Sequence, residues 1–208
     1  GGNPGALGAA LALRSPASHV LLASPSCIAL DMGRRTLAAN AIGNATVLEG
    51  TSVLPEWAGR CECVALLAPP DRKLARRWLL EAWHALALGG ALWLAGANDE
   101  GMRSVIADAA ELFGAAPVRA YRQGCRLAEA VRAQGDGPLP GWAASPGIAP
   151  GTWREFAVEL RGQRLQICSL AGVFAHDRLD AGTQLLLETI AAPVGLRVLD
   201  LGCGAGVI

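Results

Sequence analysis

The last twelve residues constrain the fold of this chain most, because they join an apolar run, an acidic residue and three alternating glycines. They read Arg-Val-Leu-Asp-Leu-Gly-Cys-Gly-Ala-Gly-Val-Ile over 197–208. An apolar run followed by such a loop predicts a buried strand that turns directly into a helix. Glycines let the backbone approach a ligand closely, and a helix N-terminus offers N–H groups to a carboxylate or phosphate. The segment therefore predicts an α/β fold with a nucleotide-type cofactor site.

The spacing of this loop indicates which cofactor is expected. Asp200, Gly202, Gly204 and Gly206 give the pattern D-x-G-x-G-x-G, whereas dinucleotide-binding folds carry G-x-G-x-x-G. The pattern resembles the first motif of class I S-adenosylmethionine (SAM) methyltransferases. That resemblance implies SAM as the cofactor, with these four residues facing its methionine end. A glycine loop that is only a structural turn is the alternative.

Composition limits the class of protein. A chain of 208 residues with 52% hydrophobic and 17% charged residues can bury a core and hold one domain and part of another. Its net charge of zero gives no bulk sign of nucleic-acid binding. The six cysteines include no C-x-x-C pair, which indicates reduced thiols and a cytoplasmic protein. We expect no membrane span, and for Cys61 and Cys63 strand packing is favoured over a metal site.

The order of helical and strand signals divides the chain into three parts. Residues 1–131 alternate strands and helices and end in a hairpin, which predicts a mostly parallel sheet covered on both faces. Residues 132–151 are rich in glycine, proline, alanine and serine, which is typical of a linker. Residues 152–208 begin with a hairpin and a helix over about 181–192, and they predict the beginning of a second domain.

An internal repeat relates the two domains. The segment Gly1–Gly8 can be laid over the glycine loop at 202–208, and the elements after it then follow the order of a methyltransferase sheet. Ala23 and Ser24 stand where such enzymes place an acidic residue for the ribose hydroxyls. Ala68-Pro69-Pro70-Asp71 stands where amino-directed enzymes place Asn/Asp-Pro-Pro-aromatic. We interpret 1–131 as a methyltransferase-like domain that has lost its site; an ordinary α/β domain is the alternative.

Together these residues resemble the bacterial small-subunit (16S) ribosomal RNA guanine-N2-methyltransferase family. The most specific match is the segment from Leu170 to Leu187, and the loop from Gly96 to Ser104 is similar to a family loop after the fifth strand. The resemblance implies a Rossmann-like fold with a degenerate N-terminal copy and the beginning of a catalytic second copy.

The resemblance also implies an activity and further site residues. The activity is transfer of a methyl group from SAM to the exocyclic N2 amine of a guanine in 16S rRNA. Phe174 and Thr183 are expected near the cofactor; the alternatives are core packing for Phe174 and a helix-surface or capping position for Thr183. Asp180 and Asp71 are interpreted as helix caps. The family's catalytic Asn-Pro-Pro-Phe motif is expected beyond Ile208, so the chain is interpreted as a fragment without catalytic residues.

Two other functions stay open at this point. One is a non-catalytic module that docks RNA or protein, in which Arg72, Lys73, Arg76 and Arg77 contact phosphates; a solvated helix face is the alternative. The other is a related methyltransferase acting on 23S rRNA guanine, adenine N6 or a protein glutamine. The expected partner is 16S rRNA or the small ribosomal subunit, with no membrane and no metal.

Overall fold

The computed structural model describes residues 5–49, 55–133, 135, 137–191, 195 and 197–207. Gly1–Pro4, in the predicted N-terminal glycine loop, and Ile208 lie outside the described residues. The helices and strands are, in chain order, α1 (Ala6–Arg14), β1 (Val20–Ala23), α2 (Cys27–Ala39), β2 (Ala45–Leu48), β3 (Cys61–Leu67), α3 (Arg72–Ala85), β4 (Leu86–Ala97), α4 (Met102–Phe113), β5 (Val118–Arg122), β6 (Cys125–Val131), β7 (Arg154–Leu160), β8 (Gln163–Ser169) and α5 (Ala181–Thr189).

The strands form three sheets, and the predicted α/β class is confirmed. β1 pairs with β2 in parallel, and β3 pairs with β4 in parallel. β4 also pairs with β6 in antiparallel register, and β6 pairs with β5, which gives a four-stranded mixed sheet in the order β3-β4-β6-β5. β7 and β8 form a separate antiparallel pair. The parallel pairs come from βα crossovers, and the antiparallel ones come from hairpins.

The main hydrophobic core lies between α3, α4 and the four-stranded sheet. Leu79 and Leu80 of α3, Leu92 and Leu94 of β4, and Met102 of α4 are each at most 1% exposed. Side chains at i, i+3 and i+4 of a helix share a face, and alternate side chains of a strand do so, which explains how these apolar residues meet. The core extends to residues 142, 143, 148 and 171, so the chain after β6 packs on α3 and α4.

Both predicted hairpins are present, and each closes through a two-residue turn. Gln123 (φ 50°) and Gly124 (φ 77°) join β5 to β6, and Arg161 (φ 50°) and Gly162 (φ 77°) join β7 to β8. Two successive residues with positive φ match the right-handed twist of the strands, which favours glycine at the second position.

The structure differs from the sequence prediction at several element ends. The glycine pair at 89–90 predicts a helix that runs to Leu88. The helix ends at Ala85 instead, because β4 begins at Leu86, which pairs with Cys61 of β3. The fully apolar run from Cys63 to Leu67 predicts a central strand, but β3 pairs only with β4 among the described residues. Of the described residues, no helix is long and apolar enough to cross a membrane.

The buried strand predicted before the glycine loop is not formed. Residues 197–200 have no strand pairing, and Val198, Leu199 and Leu201 are 66%, 78% and 86% exposed. The described part of the loop forms turns and not the first turn of a helix. A parallel strand needs hydrogen-bonded neighbours, and the described strands after residue 151 pair only with each other.

Candidate cofactor site

The glycine loop at 202–206 keeps a backbone conformation that selects glycine. Gly202, Gly204 and Gly206 have φ of 79°, 54° and 69°, in the left-handed region that side chains with a Cβ disfavour. The N–H of Gly206 donates a hydrogen bond of 2.7 Å to the carbonyl of Cys203, which closes a tight turn. The glycines therefore allow the backbone of the loop to take this conformation without a ligand.

The space beside these glycines is open. A Cβ placed on Gly202 or Gly206 would meet no atom within 4 Å, and one on Gly204 would meet only ordinary contacts, the nearest with Val173 Cγ1 at 3.7 Å. The described residues do not fill the space that a Cβ would occupy. A ligand can approach the loop backbone from that side, as the sequence predicts.

Asp200 supplies an acceptor that the described residues do not use. Its side chain is half-buried, and its buried Oδ2 has no hydrogen-bond partner among the residues that the structure describes. Leaving a buried carboxylate oxygen unpaired costs free energy, and a ligand donor would recover that cost. The orphaned oxygen and the open glycine loop fit a cofactor that carries both donors and a carboxylate.

Phe174 lies in the segment that contacts the loop, but its ring does not enter a core. Val173, its neighbour, is the residue that lies against Gly204. The Phe174 side chain is 80% exposed, so the core-packing alternative does not hold in this structure. An exposed aromatic ring beside an open loop is available to cover a ligand.

Thr183 lies in the first turn of α5, where Asp180 caps the helix. Asp180 Oδ1 accepts hydrogen bonds from the N–H of Gly182 (2.9 Å) and of Thr183 (3.3 Å). The hydrogen bond from the Thr183 side chain, together with these backbone donors, lowers the pKa of Asp180 from its usual range. The capping role proposed for Asp180 is confirmed, and the described contacts of Thr183 are with this cap.

The corresponding positions of the N-terminal unit serve local structure. Ser24, at the end of β1, accepts a hydrogen bond of 3.2 Å on Oγ from the N–H of Ser26. Asp71, after the two prolines, caps α3 by accepting a hydrogen bond of 2.8 Å from the N–H of Leu74. The N-cap of α2 is Ser26. Ala68, which stands at the position of the amine-binding Asn or Asp, has no polar side chain, which supports the interpretation of this unit as degenerate.

The basic cluster at the beginning of α3 is paired with carboxylates inside the protein. Arg72 and Arg76 both bind Asp108, each through Nε and Nη2, at 2.8 to 3.0 Å. Arg77 lies 3.1 Å from Glu81, and Lys73 lies 2.5 Å from Asp177. Sequence reasoning did not find these partners, since Asp108 and Asp177 lie 36 and 104 residues from Arg72 and Lys73. Phosphate contact by this cluster would compete with these ion pairs.

The described residues contain no group of three or more His, Cys, Asp or Glu side chains placed to hold a metal ion. Cys61 and Cys63 lie on β3, where burial raises the pKa of both thiols and keeps them protonated. Cys61 is half-buried and Cys63 is exposed.

The fold and the loop define the chain as α/β and methyltransferase-like. A family model described as the methyltransferase small domain matches residues 164–208, which contain the glycine loop. The chain is similar to ribosomal RNA small subunit methyltransferase C of Pseudomonas putida, at 37% identity over 71% of this chain and 41% of the relative. The protein of that name from Shewanella denitrificans is 30% identical over 89% of this chain and 52% of the relative. These matches confirm the family resemblance seen in the sequence.

The chain is also similar to solved structures of methyltransferases. The 16S rRNA N2 methyltransferase RsmC of T. thermophilus, in complex with AdoMet and guanosine, superposes with a TM-score of 0.61 and 29% identity over 81% of this chain and 41% of that chain. A predicted O-methyltransferase from Agrobacterium tumefaciens shares the fold, with a TM-score of 0.52 and 23% identity over 63% of this chain and 70% of that chain. The chain spans about half, or less, of the length of the curated relatives it matches.

Proposed function

We propose that the protein carrying this chain is a SAM-dependent methyltransferase that acts on the exocyclic N2 amine of a guanine in 16S rRNA. The observation that carries the proposal is the glycine loop at 200–206, which lies inside the region that matches the methyltransferase small domain. The similarity to RsmC, whose structure contains AdoMet and guanosine, supports both the cofactor and the base. The substrate is then 16S rRNA, free or in the small subunit, in the cytoplasm.

The residues of this chain hold the cofactor. Gly202, Gly204 and Gly206 let the backbone N–H groups of the loop reach a carboxylate. The free Oδ2 of Asp200 accepts a hydrogen bond from a cofactor donor, and Phe174 and Thr183 belong to the segment that covers the site. When bound, SAM supplies an electrophilic methyl group on a sulfonium. The contribution of the protein is alignment of the amine with that group and exclusion of water. The proposal assigns no catalytic residue to these 208 residues.

The test is methyl transfer by the complete protein that carries this sequence. Small subunits and naked 16S rRNA that lack the modification are incubated with isotope-labelled SAM, and the RNA is digested to nucleosides for mass spectrometry. We expect label in N2-methylguanosine. Label in N6-methyladenosine would replace the proposed base. If 16S rRNA takes no label, the same incubation with 23S rRNA and with ribosomal protein shows whether either is the substrate, and no transfer to any of them would favour a non-catalytic binding module.

A matched pair of glycine variants tests the site itself. Gly202→Val places a β-branched side chain at φ 79°, whereas Gly43→Ala adds a methyl group in open space at a position without positive φ. In the complete protein that carries this sequence, we expect Gly202→Val to abolish SAM binding in isothermal titration and Gly43→Ala to leave it unchanged. Equal affinities in both variants would remove the glycine loop from the cofactor site.

A further inference from the structure

The first turn of α3 contacts a segment that lies about a hundred residues later in the chain. Lys73 Nζ donates a hydrogen bond of 2.5 Å to Asp177 Oδ2 across 104 residues. Leu74 lies against Gly172, where a Cβ would come within 2.9 Å of Leu74 Cδ1. We call these four residues, Lys73, Leu74, Gly172 and Asp177, the α3 brace.

The packing below the brace is tight. Ala75 of α3 is fully buried and Ala171 is 4% exposed, and both belong to the main core. The N–H of Ala171 also donates a hydrogen bond of 3.4 Å to the carbonyl of Gly147. Gly172 has φ of 99° and no room for a side chain against Leu74. The beginning of the 172–177 segment is therefore fixed on the N-terminal unit by contacts that only small residues permit.

The same segment also lies near the glycine loop. Val173 follows Gly172 and lies between the brace and Gly204, where its Cγ1 is 3.7 Å from the position of a Cβ. The side chain of Leu74 thus occupies the space beside Gly172, and the side chain of the next residue, Val173, lies beside the position that a Cβ of Gly204 would occupy. Only the last three residues lie in the region that matches the methyltransferase small domain, and Leu74 lies outside it.

The charges at the brace favour the same arrangement. Asp177 lies between Lys73 and Arg178, whose Nη1 is 3.2 Å from its second oxygen. The hydrogen bond from Lys73 is the main reason that the pKa of Asp177 is lowered. Lys73 is half-exposed and Asp177 is 24% exposed, so the ion pair is partly screened by water and contributes modestly.

We propose that Lys73 and Leu74 of the N-terminal unit are positioning residues for the glycine loop at 202–206. They hold the 172–177 segment so that Val173 supports Gly204, and they raise the affinity for SAM without touching it. This inference rests on the proposed function, because it takes the glycine loop as the cofactor site. It gives the degenerate unit a defined task at that site.

The first experiment needs no cofactor. Hydrogen exchange of 172–178 and the alkylation rate of Cys203, which is exposed in the loop, are measured by mass spectrometry in the original chain and in three variants. Lys73→Ala is expected to speed both, Lys73→Arg to restore both, and Arg103→Ala, at an exposed cation of α4, to change neither. Unchanged exchange and alkylation in Lys73→Ala would overturn the proposal.

The second experiment measures SAM binding and turnover in the complete protein. Lys73→Ala is expected to weaken SAM binding about threefold, as loss of a partly exposed ion pair does. Leu74→Ala is expected to weaken it about tenfold through lost packing. The kcat at saturating SAM should stay within about twofold in both, since neither residue touches the reacting atoms.

The outcomes separate this proposal from the proposed function. If the unsubstituted protein binds no SAM, the proposed function fails, while exchange and alkylation still report the brace. If it binds SAM and Lys73→Ala binds it equally well, the proposed function stands and the brace does not position the loop. Lys73 is half-exposed, so its variant remains testable even if Leu74→Ala does not fold.

Discussion

Asp108 is a buried carboxylate that two arginines bind. Its side chain is 2% exposed, and it receives paired hydrogen bonds from both Arg72 and Arg76. Burial alone would raise its pKa, but the hydrogen bonds and charges of the two arginines outweigh burial, so the pKa lies below its ordinary value. Asp108 thus joins α3 to α4. It also pairs with two arginines that the sequence alone offered as RNA contacts.

Replacing Asp108 with Asn is expected to destabilise the fold by about 3 kcal/mol. The substitution leaves two arginines beside an uncharged amide, and the cost stays at the low end for a buried pair because Arg72 is 53% exposed. Urea unfolding of Asp108→Asn measures it, with Asp99→Asn at an exposed turn position as the control. A difference below about 0.5 kcal/mol between the two variants would show that the network contributes little.

The same carboxylate predicts a pH dependence. Because its folded pKa is lowered, its contribution to stability is fully present above the unfolded value of about 4 and is lost as the pH falls through the folded value. The free energy of unfolding of the original chain should therefore fall more steeply between about pH 5 and pH 3 than that of Asp108→Asn. Urea midpoints at several pH values measure both slopes, and parallel slopes would contradict the assignment.

At the scale of elements, the segment after β6 is attached to α3 and α4 through Trp142. Its indole N–H donates a hydrogen bond of 3.0 Å to Glu111 of α4, and Arg76 of α3 lies over its ring at 5.2 Å. The Trp142 side chain is 9% exposed. A sequence rich in glycine and proline is typical of a mobile linker, yet one large aromatic residue and its contacts are enough to dock this part of it.

Trp142→Phe should lower the free energy of unfolding by about 1 kcal/mol, because the hydrogen bond is lost. Trp142→Ala should lower it by about 3 kcal/mol, because the ring is lost. Trp142→Ala should also expose residues 137–150 to proteinase K in the native state. The matched control is Trp153→Ala, at a tryptophan that is 53% exposed. If both alanine variants are cleaved equally slowly, Trp142 does not dock the segment.

At the scale of the whole molecule, buried side chains are unevenly distributed among the elements. The core of α3, β4 and α4 contains the most buried side chains, whereas α5 has no buried residue and the apolar residues before the glycine loop are exposed. We expect amides of 79–94 to exchange slowest and those of 181–191 and 197–207 to exchange within seconds, because local opening there breaks few apolar contacts. Slow exchange across 181–191 and 197–207 would contradict this distribution.

The same uneven burial predicts weak cofactor binding by these 208 residues alone. The run at Val198, Leu199 and Leu201 is exposed and has no neighbouring strand among the described residues, so the loop after it lacks a rigid support. Isothermal titration of SAM into this chain should show no binding at micromolar concentrations. Micromolar affinity would show that the loop is preorganised without further sheet.

The sequence by itself determined the features that depend on residues close together in the chain. Alternating apolar positions and turn residues predicted β5–β6 and β7–β8, and helix caps such as Asp180 and Asp71 were visible because a cap acts within three residues. The glycine pattern at 202–206 likewise predicted a loop with open backbone. These features are local, so chain order contains the information that forms them.

Only the tertiary structure decided which distant residues meet. Asp108 between Arg72 and Arg76, Lys73 with Asp177, and Val173 against Gly204 join residues that no pattern relates. The same holds for the exposed run before the glycine loop, whose apolar sequence indicates a buried strand but whose burial requires neighbouring strands. A charged or apolar side chain is stabilised by a partner, and tertiary packing determines which residue that partner is.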